Sequence, residues 1–94
     1  MKISEMTIEL MREYLHAETE TDNAFLGAVM SAAKKMISGY TDIPDDELDN
    51  YEDLTIAYNI ICSDMYDVRS LTVASDKMNP TVKIILNMYS RNLV

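Results

Sequence analysis

The 94 residues of this chain are enough for one small domain with one modest hydrophobic core. A hydrophobic content of 48% argues against wholesale disorder, and only two glycines and two prolines favour helices over a strand-rich sandwich. The formal net charge of −8 argues against binding of nucleic acids or anionic membranes, because either function needs a basic face.

The single cysteine, Cys62, excludes an internal disulfide and fits a reducing compartment. Because it lies in an apolar helical segment, we expect a buried thiol rather than a reactive one. The first residues lack the apolar core of a signal peptide, and no apolar run approaches the roughly 18 residues of a membrane-spanning helix. We therefore expect a soluble cytoplasmic protein.

The first two predicted helices occupy most of the chain before residue 40. The first follows Thr7, a good N-cap residue, and ends near His16. A polar connector leads to a longer second helix capped by Thr21 or Asp22, with Gly39 expected as its left-handed C-cap residue. The apolar stripe of this second helix repeats at helical spacing and consists of Leu26, Val29, Ala33, Met36 and Tyr40.

Small residues form a separate strip on the second predicted helix, where Ala24, Ala28 and Ala32 are joined by Gly27 and Ser31. Small side chains let another backbone approach closely. The strip therefore indicates either tight packing inside the domain, which is the simpler interpretation, or a contact between subunits.

The third predicted helix begins between Leu48 and Asp53 and ends near Arg69. It is apolar around much of its girth, which predicts a central position in the fold. Its main stripe is Leu54, Tyr58, Ile61, Met65 and Val68.

Residues 70–78 show no helical periodicity and predict an exposed loop. Leu71, Val73 and Met78 are apolar residues of this loop without an evident place in the core. We expect a neighbouring subunit to bury them.

A last helix is predicted from the start signal Asn79-Pro80 to about Arg91, with Val82 and Ile85 on its apolar face. The predicted architecture over residues 1–94 is therefore a single all-α domain of about four helices around one core.

The acidic segment, residues 42–53, carries seven carboxylates and neither Lys nor Arg. Counted from its first residue, it fails as a calcium loop, because Pro44 and Glu47 replace an oxygen ligand and the turn glycine. Glu13 and His16 match the Glu-x-x-His pair of helical di-iron sites, but a chain with one histidine cannot complete such a site. With no activated nucleophile and no glycine-rich phosphate loop, we expect no enzyme activity, no cofactor and no metal.

Four segments stand out in order along the chain: TIELMREYLHAETETDNAFL, AAKKMISGYTDIP, IAYNIICSDMYDVRS and NPTVKIILNMYSRN. Their order and spacing resemble the small helical head-tail connector proteins of tailed phages, also called adaptor, head-completion or DNA-packaging proteins. Two turns depart from the family pattern. Asp42-Ile43 stands where the family usually has Gly before Pro, and Asn79-Pro80-Thr81 replaces a Pro-x-Gly turn.

The resemblance implies a virion structural protein that forms a ring beneath the portal and joins the DNA-filled head to the tail. It implies the portal protein, a neck or tail-completion protein and further copies of this chain as partners, in the virion neck after assembly in the host cytoplasm. Together with the residue pattern, it makes Leu71, Val73, Met78, Ala24, Ala28 and Ala32 the interface candidates. The alternative is a small helical regulatory module that binds one basic or amphipathic partner through an acidic, Met-bearing groove.

Overall fold

The computed structural model describes residues 2–16, 23–69 and 78–89. These residues form four α-helices and two short 3-10 helices, which confirms the predicted all-α class. The α-helices are α1 (Ile8–Leu15), α2 (Asn23–Thr41), α3 (Glu52–Val68) and α4 (Pro80–Tyr89), and the 3-10 helices are Ile3–Glu5 and Asp45–Asn50.

Two of the predicted helix starts are confirmed by their capping hydrogen bonds. The Thr7 hydroxyl oxygen accepts a hydrogen bond from the Leu10 backbone N–H at 3.2 Å, at the start of α1. The Asn79 side-chain oxygen accepts one from the Thr81 N–H at 2.8 Å, with Pro80 as the first residue of α4. Each cap satisfies a backbone donor that the helix itself leaves without a partner.

Helix α3 is central, as the sequence predicts, and it packs against α1, α2, α4 and both 3-10 helices. Phe25 at the start of α2 lies beside Tyr66 near the end of α3, with ring centroids 6.1 Å apart. The Tyr89 hydroxyl at the end of α4 donates a hydrogen bond to Asp53 at the start of α3. Helix α3 therefore runs antiparallel to both neighbours. Because α2 and α4 also touch each other, the three helices form a triangular bundle.

The buried side of each helix follows the predicted apolar stripe, with exceptions at the margins. Met36 and Ile85 are half-buried, Tyr40 is exposed and Val68, the last residue of α3, is exposed. These residues lie at the edge of a buried arc or in a final turn, where the neighbouring helices no longer cover them. The predicted residues that are fully buried are Leu26, Val29, Ala33, Leu54, Tyr58, Ile61, Met65 and Val82.

The predicted C-cap at Gly39 is wrong. Helix α2 continues through Gly39 to Thr41, and the residue with a left-handed backbone is Asp42, with φ of 61°. The buried Thr41 hydroxyl donates to the Ile37 carbonyl at 2.8 Å and accepts from the Ile43 N–H at 3.3 Å. These bonds satisfy polar groups at the helix end and so place the turn after Thr41.

Replacing Gly39 with alanine should raise the free energy of unfolding by roughly 0.5–1 kcal/mol, because glycine inside a helix costs conformational entropy. A Cβ atom at Gly39 would meet no other atom within 4 Å, so the substitution brings no clash. Urea unfolding followed by circular dichroism measures the change, with Gly27→Ala as a matched second site, also open. If Gly39→Ala lowered the free energy of unfolding and Gly27→Ala did not, Gly39 would have the left-handed backbone that the sequence predicts.

Candidate functional site

The acidic segment rests on the core through its apolar residues. Ile43 and Leu48 are buried, whereas Asp45, Asp46 and Glu47 in the second 3-10 helix are exposed. The segment therefore exposes its carboxylates to solvent while its apolar residues pack against the core. It is an ordered part of the domain and not only a link between α2 and α3.

Two carboxylates of the acidic segment bind other parts of the fold. Asp49 accepts a hydrogen bond from the Ser4 backbone N–H at 3.0 Å. Hydrogen bonds from the side chain and backbone of Ser4 lower the pKa of Asp49. Because this pKa is lowered, the contact favours folding at neutral pH, and its contribution is lost as pH falls through the lowered pKa. Asp53 accepts from the Tyr89 hydroxyl at 3.1 Å, so the segment is tied to the N-terminal 3-10 helix and to α4.

Within residues 2–16, 23–69 and 78–89, no group of three or more His, Cys, Asp or Glu side chains is placed to hold a metal ion. His16 is exposed at the end of α1, as predicted, and adopts a left-handed backbone with φ of 56°. No helix in the described part of the chain has the length and apolar character needed to cross a membrane.

The thiol of Cys62 is buried, as predicted. Burial raises its pKa to about 12, although a hydrogen bond with Tyr58 opposes the shift. Burial likewise raises the pKa of the Tyr58 hydroxyl. The reactive thiolate is therefore scarce at neutral pH, and this pair belongs to the core rather than to a nucleophilic site.

The small-residue strip of α2 faces outward. Ala24 and Ala28 are exposed, and Ala32 is half-buried against the core. The prediction of tight internal packing is therefore wrong for Ala24 and Ala28, because α2 buries the opposite arc, formed by Leu26, Val29, Ala33 and Ile37. The alternative, a contact between subunits, stays a prediction.

The loop candidates for the interface divide into two groups. Met78 is 7% exposed and belongs to the hydrophobic core, so the prediction that it is an exposed loop residue is wrong. It immediately precedes the N-cap Asn79, where the chain is already packed as it enters α4. Leu71 and Val73 lie outside the described residues, and their role stays a prediction.

The exposed apolar surface that the sequence analysis missed lies on α4. Ile84 and Met88, one helical turn apart, are each 64% exposed. The sequence contained a signal for this surface. One arc of apolar residues is enough to fill the core side of α4, and Ile84 and Met88 lie outside that arc. That arc consists of Val82, Ile85, Leu86 and Tyr89.

Arg69 links the end of α3 to the start of α2. Its guanidinium carbon lies 5.1 Å from the ring centroids of both Phe25 and Tyr66, within the range of cation–π attraction. Arg69 also has a left-handed backbone, and its N–H closes the last turn of α3. The residue thus ends one helix and fixes the position of another.

Comparison with protein families, with curated proteins and with solved structures found no match to this chain.

Proposed function

We propose that this chain is a non-enzymatic subunit of a ring beneath the portal of a tailed phage or prophage, where it joins the DNA-filled head to the tail. The observation that carries the proposal is the position of the connector-like motifs. Each includes at least one helix end, where residues such as Thr7, Arg69 and Asn79 cap the helix or hold two helices together. The motifs are thus the architectural residues of the fold, as expected for a structural protein.

Two motifs illustrate this architectural role. In the Tyr-Thr motif at the end of α2, the Tyr40 hydroxyl donates a hydrogen bond to Asn87 of α4 at 2.7 Å. In the Tyr-Asp-x-Arg motif at the end of α3, Arg69 contacts the ring of Tyr66 and that of Phe25. Both motifs set how neighbouring helices meet.

The acidic surface is compatible with a ring around DNA. The exposed carboxylates of residues 42–53 give the chain a face that repels phosphate groups. If this face lined the channel, DNA could pass without being held.

The alternative function is a regulatory module that binds one basic or amphipathic partner through an acidic, Met-bearing groove. Most methionines in the described residues face inward, and Met88 alone among them is largely exposed. Fully or nearly buried are Met6, Met11, Met65 and Met78. This distribution favours the connector, because methionine lends a binding groove its adaptability only where it is exposed.

The decisive experiment mixes the purified chain with the portal protein encoded in the same genome and measures the complex by sedimentation velocity and electron microscopy. We expect a ring of many copies of the chain on each portal ring. Replacing Leu71 and Val73 together with serine should reduce ring formation and leave the helical circular-dichroism signal unchanged.

Two results would contradict the proposal. A chain that fails to bind portal protein at any concentration is not a connector. A complex of one chain with one basic or amphipathic partner would support the regulatory alternative.

A further inference from the structure

The outer side of α4 carries an apolar surface that the described residues of the same chain leave open. We call Ile84 and Met88 the α4 strip; both side chains are 64% exposed. The neighbouring charged residue is Lys83, which is half-buried, and residues 79–89 contain no carboxylate. The strip is therefore apolar with a positive border.

The outer side of α3 carries the opposite combination. Ile56 is 52% exposed, and the half-buried Ile60 lies one turn further along the same face. Glu52, one turn before Ile56, and the adjacent Asp53 are both exposed. We call Ile56 and Ile60 the α3 patch; its border is acidic.

From this charge complementarity we infer that the α4 strip of one copy docks on the α3 patch of the next copy, an inference that rests on the proposed ring function. Copies with a net charge of −8 repel one another, so a stable contact needs a place where opposite charges meet. Lys83 facing Glu52 is such a place, and the apolar side chains between them lose water on contact.

The other exposed apolar pair fits the α4 strip less well. Leu10 and Tyr14 on α1 are exposed and lie beside the exposed Glu9 and Glu13, but Tyr14 adds a hydroxyl group that needs a hydrogen-bond partner once it is buried. The α3 patch is purely aliphatic and the charged residues at its border are acidic, so it is the better acceptor.

The α4 strip and the α3 patch are two different surfaces, on two helices that pack against each other. A contact between two different surfaces is head-to-tail, and such contacts close into rings when the rotation between neighbouring copies allows it. The inferred contact therefore has the symmetry that a ring requires.

Cross-linking tests the contact directly. In the double variant Ile56→Cys, Ile84→Cys, a short bismaleimide should join successive copies into a ladder of dimers, trimers and larger species on a denaturing gel. The buried Cys62 contributes little background, because its thiol is inaccessible. The matched control, Leu10→Cys with Ile84→Cys, pairs the strip with the α1 surface and should give no ladder.

Charge reversal provides a second, independent measurement. Lys83→Glu and Glu52→Lys should each weaken assembly on portal protein, and a mixture of the two variants should recover part of it. Lys35→Glu, on the outer side of α2, is the control and should leave assembly unchanged. Recovery in the mixture cannot come from general stability, since the two changes lie on different molecules.

The outcomes separate this contact from the ring function. Rings on portal protein without an Ile56–Ile84 ladder would overturn the contact and leave the ring function standing. A ladder no stronger than that of the Leu10 control, with no effect of Lys83→Glu, would also overturn it. If the unmodified chain did not assemble, alone or with portal protein, both the contact and the ring function would be overturned.

Discussion

Replacing Ile61 with alanine should lower the free energy of unfolding by roughly 2–5 kcal/mol, because the deleted atoms leave a cavity in a packed core. Ile61 is 1% exposed and lies on the central helix α3, which packs against α1, α2 and α4. For a domain of this size, whose total stability is about 5–15 kcal/mol at most, such a loss is a large fraction. Urea unfolding followed by far-ultraviolet circular dichroism measures it.

Ile56 offers a matched control on the same helix. It is the same residue type, but its side chain is 52% exposed, so Ile56→Ala should change the free energy of unfolding of the dilute monomer little. Alanine's better helix propensity offsets part of the lost contact. Equal losses at the two positions would mean that Ile56 also lies in the core, and the α3 patch would then not exist.

The sequence predicts the helices and their buried sides well because both depend on local rules. Helix starts follow from capping residues such as Thr7 and Asn79, whose side chains satisfy free backbone donors. The buried arc of α3 follows from residues recurring at helical spacing, such as Leu54, Tyr58 and Ile61. A helix with a wide apolar arc must be covered on several sides, which is why the central position of α3 is predictable.

The end of α2 could not be predicted from residue preference alone. Glycine favours the left-handed C-cap position, but the structure places Asp42 there and keeps Gly39 in the helix. The decisive contribution is the buried Thr41 hydroxyl, whose two hydrogen bonds depend on tertiary packing. At the turn before Pro44, an aspartate thus supplies the left-handed residue.

The exposed surfaces were harder to predict than the core. Periodicity shows which residues share a face, but it does not show whether a second element covers that face. The spacing of Ala28 therefore indicates an internal contact as the simpler interpretation, although its side chain is exposed. Met78 fitted an exposed loop, although it is buried, because burial of a residue outside a helix leaves no periodic signal.

The second large effect is expected at Leu48, inside the most acidic part of the chain. Leu48 is 0% exposed and anchors the second 3-10 helix to the core, so Leu48→Ala should cost roughly 2–5 kcal/mol of unfolding free energy. In sequence alone this leucine is an isolated apolar residue among carboxylates. The large expected loss of stability follows from the burial of Leu48 beneath the exposed carboxylates. Urea unfolding measures this loss.

The control removes charge from the same 3-10 helix and leaves its buried residue, Leu48, unchanged. The triple variant Asp45→Asn, Asp46→Asn, Glu47→Gln should leave stability nearly unchanged or slightly higher, because these exposed carboxylates repel one another more than they bind the fold. If Leu48→Ala cost no more than this triple variant, the acidic segment would be a loosely attached connector. If the triple variant were strongly destabilising, its carboxylates would hold the fold together, and they would not be a surface free to face a channel or a partner.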